Sequence, residues 1–253
     1  MKKLFYIPLI FISLALVSFT TKPKVTSLDA TSKEELKNAY EKAIAWFSNN
    51  SNCKVNIKYS SFTDHTTTKA YDQSVGFYER DKNNVHVSSM GITTIQNEKI
   101  CLVVDSVNQI IVLKNKTELS TAPVDSKNLS ELLDNVKSLK KQNIAEGGTL
   151  YQLEFKPNEL YSSFEFKLNK NGLFSSITYY YSKERKEDEG DKNSIAGKPR
   201  MEIAFSGYES NVKFNYENEF SEKQFIKNIS GKVILSDHYK KYELKDYRFK
   251  EKK

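Results

Sequence analysis

From Cys53 to Tyr59 every second residue is apolar, with Lys54, Asn56 and Lys58 between, and that period of two predicts a strand with one wet face. The alternation returns in Tyr151, Leu153 and Phe155; in Phe164, Phe166 and Leu168; in Ile177, Tyr179 and Tyr181; in Met201, Ile203 and Phe205; and in Val212, Phe214 and Tyr216. "SVGFYER", "NVHVSSM" and "ITTIQ" read as further short strands, and links such as "NKNG" carry hairpin chemistry. Two stretches change period. In "SKEELKNAYEKAIAWF", Leu36, Tyr40, Ala43, Ile44 and Phe47 share one helical face behind a capping box of Ser32 and Glu35. In "VDSKNLSELLDNVKSLKKQ", Leu129, Leu132, Leu133, Val136 and Leu139 repeat at helical spacing, and "EGG" closes the segment.

One hairpin breaks the alternation. "NEKICLVVDSVNQIIVLKN" holds two unbroken apolar runs, Ile100–Val104 and Ile110–Leu113, around a turn in which Asp105, Ser106 and Asn108 favour local backbone hydrogen bonding. A strand apolar on both faces is expected near the middle of a sheet, one face toward the interior and the other under added cover. A helix, a neighbouring loop and the C-terminal extension are all candidates for that cover.

Consecutive strands with short links make an antiparallel meander, and so much apolar surface on one face must curl or be capped. The expected fold is therefore mainly β (α+β): a strongly curved antiparallel sheet forming an incomplete barrel, with the amphipathic helices as a lid. A single domain over residues 31–253 accommodates it, with 183–199 as a charged flexible loop and 221–253 as a C-terminal extension.

Composition sharpens the class. Fifteen Phe and fifteen Tyr against nine Gly favour strands over a low-complexity chain. Residues 1–20 combine Lys2 and Lys3 with an apolar core from Leu4 to Phe19 and small residues near Thr20, the pattern of a cleaved export signal, and 21–30 reads as a linker. A membrane anchor is the competing reading of the same stretch, weakened by Pro8, Ser13 and Ser18. Cys53 and Cys101 both lie far from the cleavage region, so no lipid-acceptor cysteine is expected there, and the mature chain reads as periplasmic rather than as a lipoprotein. In an oxidising compartment these two are candidates for one disulfide, with two separate buried thiols as the alternative.

The formal charge of +7 is spread in both signs. Only the tail from Tyr239, with seven Lys or Arg against three acids, is locally basic. Lysines on a terminal strand guard an open sheet edge; peripheral contact with anionic lipid is the functional alternative, and no nucleic-acid partner is expected.

The search for chemistry returns little. His65, His86 and His238 do not share a strand or helix face as metal ligands would, and His86, between Val85 and Val87, is expected on the opposite, wet side. No nucleophile elbow, phosphate-binding glycine loop or zinc-protease motif occurs. Carboxylates such as Glu184, Glu187 and Asp188 read as a solvated loop, and the aromatics of "SSITYYYS" as core or wall. Neither a cofactor nor enzymatic catalysis is expected.

The order of elements, an export signal, an amphipathic helix, "VNIKYSSF", "SVGFYERDKNNVHV", "IQNEKICLVVDSVNQIIVLKN", a Leu-rich helix, "GTLYQLEF", "LFSSITYYYS" and "MEIAFSGYESNVKFNYENEF", resembles the periplasmic lipoprotein carrier family, the LolA/LolB-like half-barrels. The likeness covers roughly residues 30–220 and is one of pattern. It implies a curved sheet and a helical lid over an apolar cavity that carries acylated proteins. Carriers place an Arg-Pro pair after their "G-x-F" strand; here Gly76-Phe77 leads to Arg80 followed by Asp81. Arg80 is the position the resemblance points to.

The expected function is thus a LolA-like carrier or chaperone binding a lipid acyl chain or an acylated protein. Leu36, Tyr40, Trp46 and Phe47 are its lid positions, and Val55, Ile57, Tyr59, Phe77, Tyr151, Leu153, Phe155, Phe164 and Phe166 its wall. The alternatives are a cell-envelope scaffold of the same fold, with a filled interior and a protein partner, and an enzyme acting on envelope lipid or glycan.

Overall fold

The computed structural model describes residues 24–26, 30–116, 133–157, 160–184, 197–230 and 232–248. The export-signal region, most of the 183–199 loop and the first part of the second expected helix lie outside the described residues.

The chain is mainly β. A long helix, α1 (Ala30–Asn49), follows a three-residue strand, β1 (Lys24–Thr26), in what reads from sequence as a linker. An antiparallel meander comes next: β2 (Asn52–Phe62), β3 (Asp72–Asp81), β4 (Asn84–Ser89), β5 (Ile92–Gln96), β6 (Cys101–Asp105) and β7 (Ile110–Lys114). A second meander holds β8 (Val136–Ile144), β9 (Gly148–Phe155), β10 (Tyr161–Leu168), β11 (Phe174–Tyr181) and β12 (Arg200–Ser210). The C-terminal part adds the hairpin β13 (Ile226–Ile229) and β14 (Lys232–Leu235), then β15 (Glu243–Asp246).

The two meanders join edge to edge where β12 pairs with β2, Ile203 opposite Tyr59. The result is a 13-stranded sheet in the order β1-β8-β9-β10-β11-β12-β2-β3-β4-β5-β6-β7-β15, antiparallel except for β15 beside β7. Its two edges, β1 and β15, come from opposite ends of the chain. The terminal strand is thus an edge strand, and Lys245 within it fits the expected guarding role.

Each face of the sheet has its own cover. On the inner face α1 buries Leu36, Tyr40, Ala43 and Phe47 against residues from β8 through β4. On the outer face Phe225 and Ile226, with Val233, Leu235, Tyr239, Tyr242 and Leu244 around them, cover Ile95, Leu102, Val104, Ile111 and Leu113. This answers the double-sided hairpin: the C-terminal extension supplies its outer cover. The hairpin does not occupy the middle of the sheet, because only β15 lies beyond β7.

Three other expectations are corrected. Of the second expected helix, described from Leu133 onward, Leu133 and Asp134 are helical, but everything from Val136 onward is strand β8. A register shift between Val136 and Ser138 lets Val136 and Leu139, three apart, both point inward, which imitates helical spacing. Val212–Tyr216 is not a strand but an irregular stretch leading into a single helical turn, Tyr216–Glu219. The cysteines are free thiols: Cys53 on β2 and Cys101 on β6 are separated by three strands, about 19 Å at ~4.8 Å per strand, far beyond disulfide reach.

A second bulge works on β12. Gly207, with φ of +60°, sits in the register shift between Ser206 and Glu209, and a Cβ there would meet Asn56 Nδ2 at 2.6 Å. The shift turns Tyr208 onto the inner face together with Phe205, and Tyr208 then donates its hydroxyl to the Phe174 carbonyl at 2.8 Å.

Candidate functional site

The expected lid and wall residues do converge beneath α1. Leu36, Tyr40 and Phe47 lie on one helical stripe and are buried together with Val55, Ile57, Tyr151, Leu153, Phe155, Phe164 and Phe166. Trp46 and Tyr59 are half-buried at the margin. The rings interlock: Tyr40 stands edge-on to Phe166 at 5.4 Å and to Phe174 at 5.1 Å, Tyr151 stacks on Phe166 at 4.8 Å, and Phe47 meets Tyr78 at 5.7 Å. Among the described residues, these side chains pack on one another directly under the helix.

Phe77 is not part of this wall. Tyr78 pairs with Val55 and enters the core, so Phe77 faces outward, its ring 4.7 Å from that of His86. "GFY" offers two adjacent aromatics, and a one-residue change of parity exchanges them. Arg80 does not line the wall either. Its Nη1 donates to the Phe47 carbonyl at 3.1 Å and its Nε to the Lys82 carbonyl at 3.0 Å. It thereby ties a cation to the C-terminal end of α1, where the helix dipole favours one.

The inner face continues past the end of α1. Strand pairing places Tyr78, Val87, Thr94, Val103 and Val112 in one row, and Arg80, Val85, Gln96, Cys101 and Lys114 in the next. Val87 packs against the core under α1, whereas Thr94, Val103 and Val112 remain half-buried. Ile92 and Ile110 extend the strip on the far side, Ile92 being 45% exposed. Sequence reasoning did not single out Val87, Val103 and Val112; the signal was the second parity of "CLVV" and "IIVL".

The outer face holds a buried polar group. Glu79 is 4% exposed, its Oε1 2.7 Å from Lys54 Nζ and its Oε2 3.3 Å from His86 Nδ1. Burial pushes this carboxyl up, but the nearby His86 and the hydrogen bond and charge of Lys54 outweigh burial and hold it below the usual carboxylate range; His86 Nδ1 approaches to 3.3 Å without hydrogen-bond geometry. His86 does point away from the core, as expected, but into a covered position rather than into water. Burial likewise raises both thiols, Cys53 to about 11 against the opposing charge of Arg80.

Two open clefts lie elsewhere. One of about 470 Å³ sits between the β8–β9 and β10–β11 turns, lined in part by Glu146, Asn169 and Lys170. Another of about 370 Å³ lies where Asn97 donates to Glu222 Oε2 at 2.7 Å and to the Phe220 carbonyl at 3.2 Å. Neither is lined by the expected site residues. Among the described residues no cluster of His, Cys, Asp or Glu could hold a metal ion, and no helix is long and apolar enough to cross a membrane.

No protein family and no curated protein matches the chain. Among solved structures it is similar to the MucA/MucB complex of Pseudomonas aeruginosa, at 8% identity and a TM-score of 0.39, over 72% of this chain and 59% of that one. It is also similar to a DUF1329 family protein from Desulfovibrio piger, at 10% identity and a TM-score of 0.30, over 74% and 97% of the two chains. A third similarity is to the ywiB protein of Bacillus subtilis, at 12% identity and a TM-score of 0.15, over 62% and 92%.

Proposed function

We propose that the chain is an exported, LolA-like binding protein that holds the acyl chain of a lipid or of an acylated partner against the inner face of a half-barrel, as a periplasmic carrier or chaperone without covalent chemistry. The observation that carries this reading is the partly bare apolar strip Val87, Ile92, Val103, Ile110 and Val112, which continues the core beyond the end of α1. Burying an acyl chain there gains on the order of 0.8 kcal/mol per methylene removed from water.

Curvature of the sheet is supported by the reach of α1. Glu35 pairs with Lys141 on β8, and Phe47 packs on Tyr78 of β3. The helix advances about 18 Å between those two residues, whereas the two strands would stand about 29 Å apart in a flat sheet. A sheet bent around the helix would bring both within reach, with the Glu35 and Lys141 side chains spanning part of the difference.

The test is native mass spectrometry of the chain from residue 21 onward, purified from the periplasm of a bacterial host, followed by titration with a fluorescent fatty acid. The expected result is a lipid adduct in the mass spectrum and a saturable fluorescence change. A clean unliganded mass together with no binding would overturn the proposal.

That outcome would favour the second reading, an envelope scaffold of the same fold. The close interlocking of Tyr40, Phe166, Phe174 and Tyr151 beneath α1 supports it, because rings packed on one another there leave less room for a ligand under the helix.

A further inference from the structure

The two ends of the strip differ in charge. At one end lies the row Arg80, Val85, Gln96, Cys101 and Lys114, and at the other the row Ile92, Asp105, Ile110 and Glu243. The first row has cations at both of its ends and no acid. Arg80 is occupied with backbone carbonyls, but Lys114 is exposed and makes no ion pair among the described residues. Its charge reaches the strip, for it opposes the effect of burial on the neighbouring Cys101 thiol.

The opposite row carries acids. Asp105 accepts from the backbone N–H groups of Val107 and Asn108 and from the Asn108 side chain, which holds its carboxyl below the usual range and keeps it anionic. Glu243, opposite Ile110, pairs with Lys245, so the cation at the middle of the edge is already matched. Between the two ends run Val103 and Val112, over about 14 Å from residue 101 to residue 105 at ~3.4 Å per residue.

Resting on the reading above, we propose that the occupant of this face is a single long-chain fatty carboxylate, oriented with its head group at Lys114 and its tail running over Val103 and Val112 toward Ile92 and Ile110. The two rows make that orientation the favoured one. The reversed ligand would set its carboxylate beside Asp105 and leave Lys114 against methylenes. Because Lys114 is exposed, its ion pair is worth up to about 1 kcal/mol at low salt, or about a fivefold preference for the acid over a neutral analogue.

The experiment compares a long-chain fatty acid with the fatty alcohol of equal length, on delipidated wild-type protein and on Lys114→Met and Lys114→Arg, at low and high salt. The wild type is expected to bind the acid about fivefold more tightly, with the preference shrinking in salt. Lys114→Met loses the preference but keeps the alcohol affinity, and Lys114→Arg retains both. Equal binding of acid and alcohol by the wild type overturns the head-group assignment while leaving an apolar-ligand function standing. Absence of binding for either overturns both. Displacement of the fatty acid by a diacyl phosphatidylglycerol, with the same dependence on Lys114, overturns the single-chain assignment.

Discussion

Lys54 and Glu79 face one another across β2 and β3 with Nζ 2.7 Å from Oε1, and the carboxylate is almost sealed from water. The lysine stays partly exposed, so it solvates its own charge, whereas Glu79 depends on its partners. His86 comes from the next strand to face the second oxygen. Three strands are thereby joined through one carboxylate on the outer face.

Glu79→Gln is expected to cost about 2 kcal/mol, the scale of hydrogen bonds to a buried charged group, as read by urea denaturation at neutral pH. The pH dependence has a defined sign. The folded pKa of Glu79 lies below its unfolded value of about 4.3, so its contribution is complete at neutral pH and is lost as pH falls through that value and below. The wild type should lose stability in this acid range more steeply than Glu79→Gln. Parallel acid profiles for the two proteins would contradict the assignment.

Phe225 anchors the outer cover, packed in the cluster with Leu102, Val104, Ile111 and Leu113 and 4.9 Å from the ring of Tyr239. Phe225→Ala is expected to destabilise by about 3 kcal/mol and to expose enough of the β5–β7 outer face to bind a hydrophobic dye. Thermal denaturation with dye fluorescence tests this. An unchanged Tm would show that the C-terminal layer holds without its anchor.

The thiols should behave as two isolated, buried groups. Thiol titration of the native protein is expected to register neither cysteine at neutral pH, because burial raises both, and then two after unfolding without reductant. Recovery of both only after reduction would mean that the mature chain carries a bridge.

Strand existence was legible because alternation is a local property: residues 53–59 of β2, 151–155 of β9, 164–168 of β10 and 177–179 of β11 each carry one apolar parity. The α1 stripe of Leu36, Tyr40 and Phe47 was legible for the same reason at a different period. Bulges were not, since the extra residue at Val136 turned a strand into an apparent helix repeat. Parity at "GFY" was ambiguous because both neighbours are aromatic, and only the pairing of Tyr78 with Val55 decides between them. Lateral strand order lies furthest from the sequence. Nothing near Cys53 or Cys101 states that three strands intervene, nor that the apolar strip lies beyond the end of the helix.

The seam between β12 and β2 sets the timetable of folding. Tyr59 must wait for Ile203, and Ile111 for Leu244, so the centre of the sheet cannot be completed before β12 is made, nor its last edge before β15. Such distant partners imply a high contact order and slow, late consolidation. The first meander spends that interval with the apolar outer side of β6 and β7 uncovered. A partly synthesised chain of this design is therefore prone to clumping until the segment from Phe225 to Leu244 arrives to cover that side.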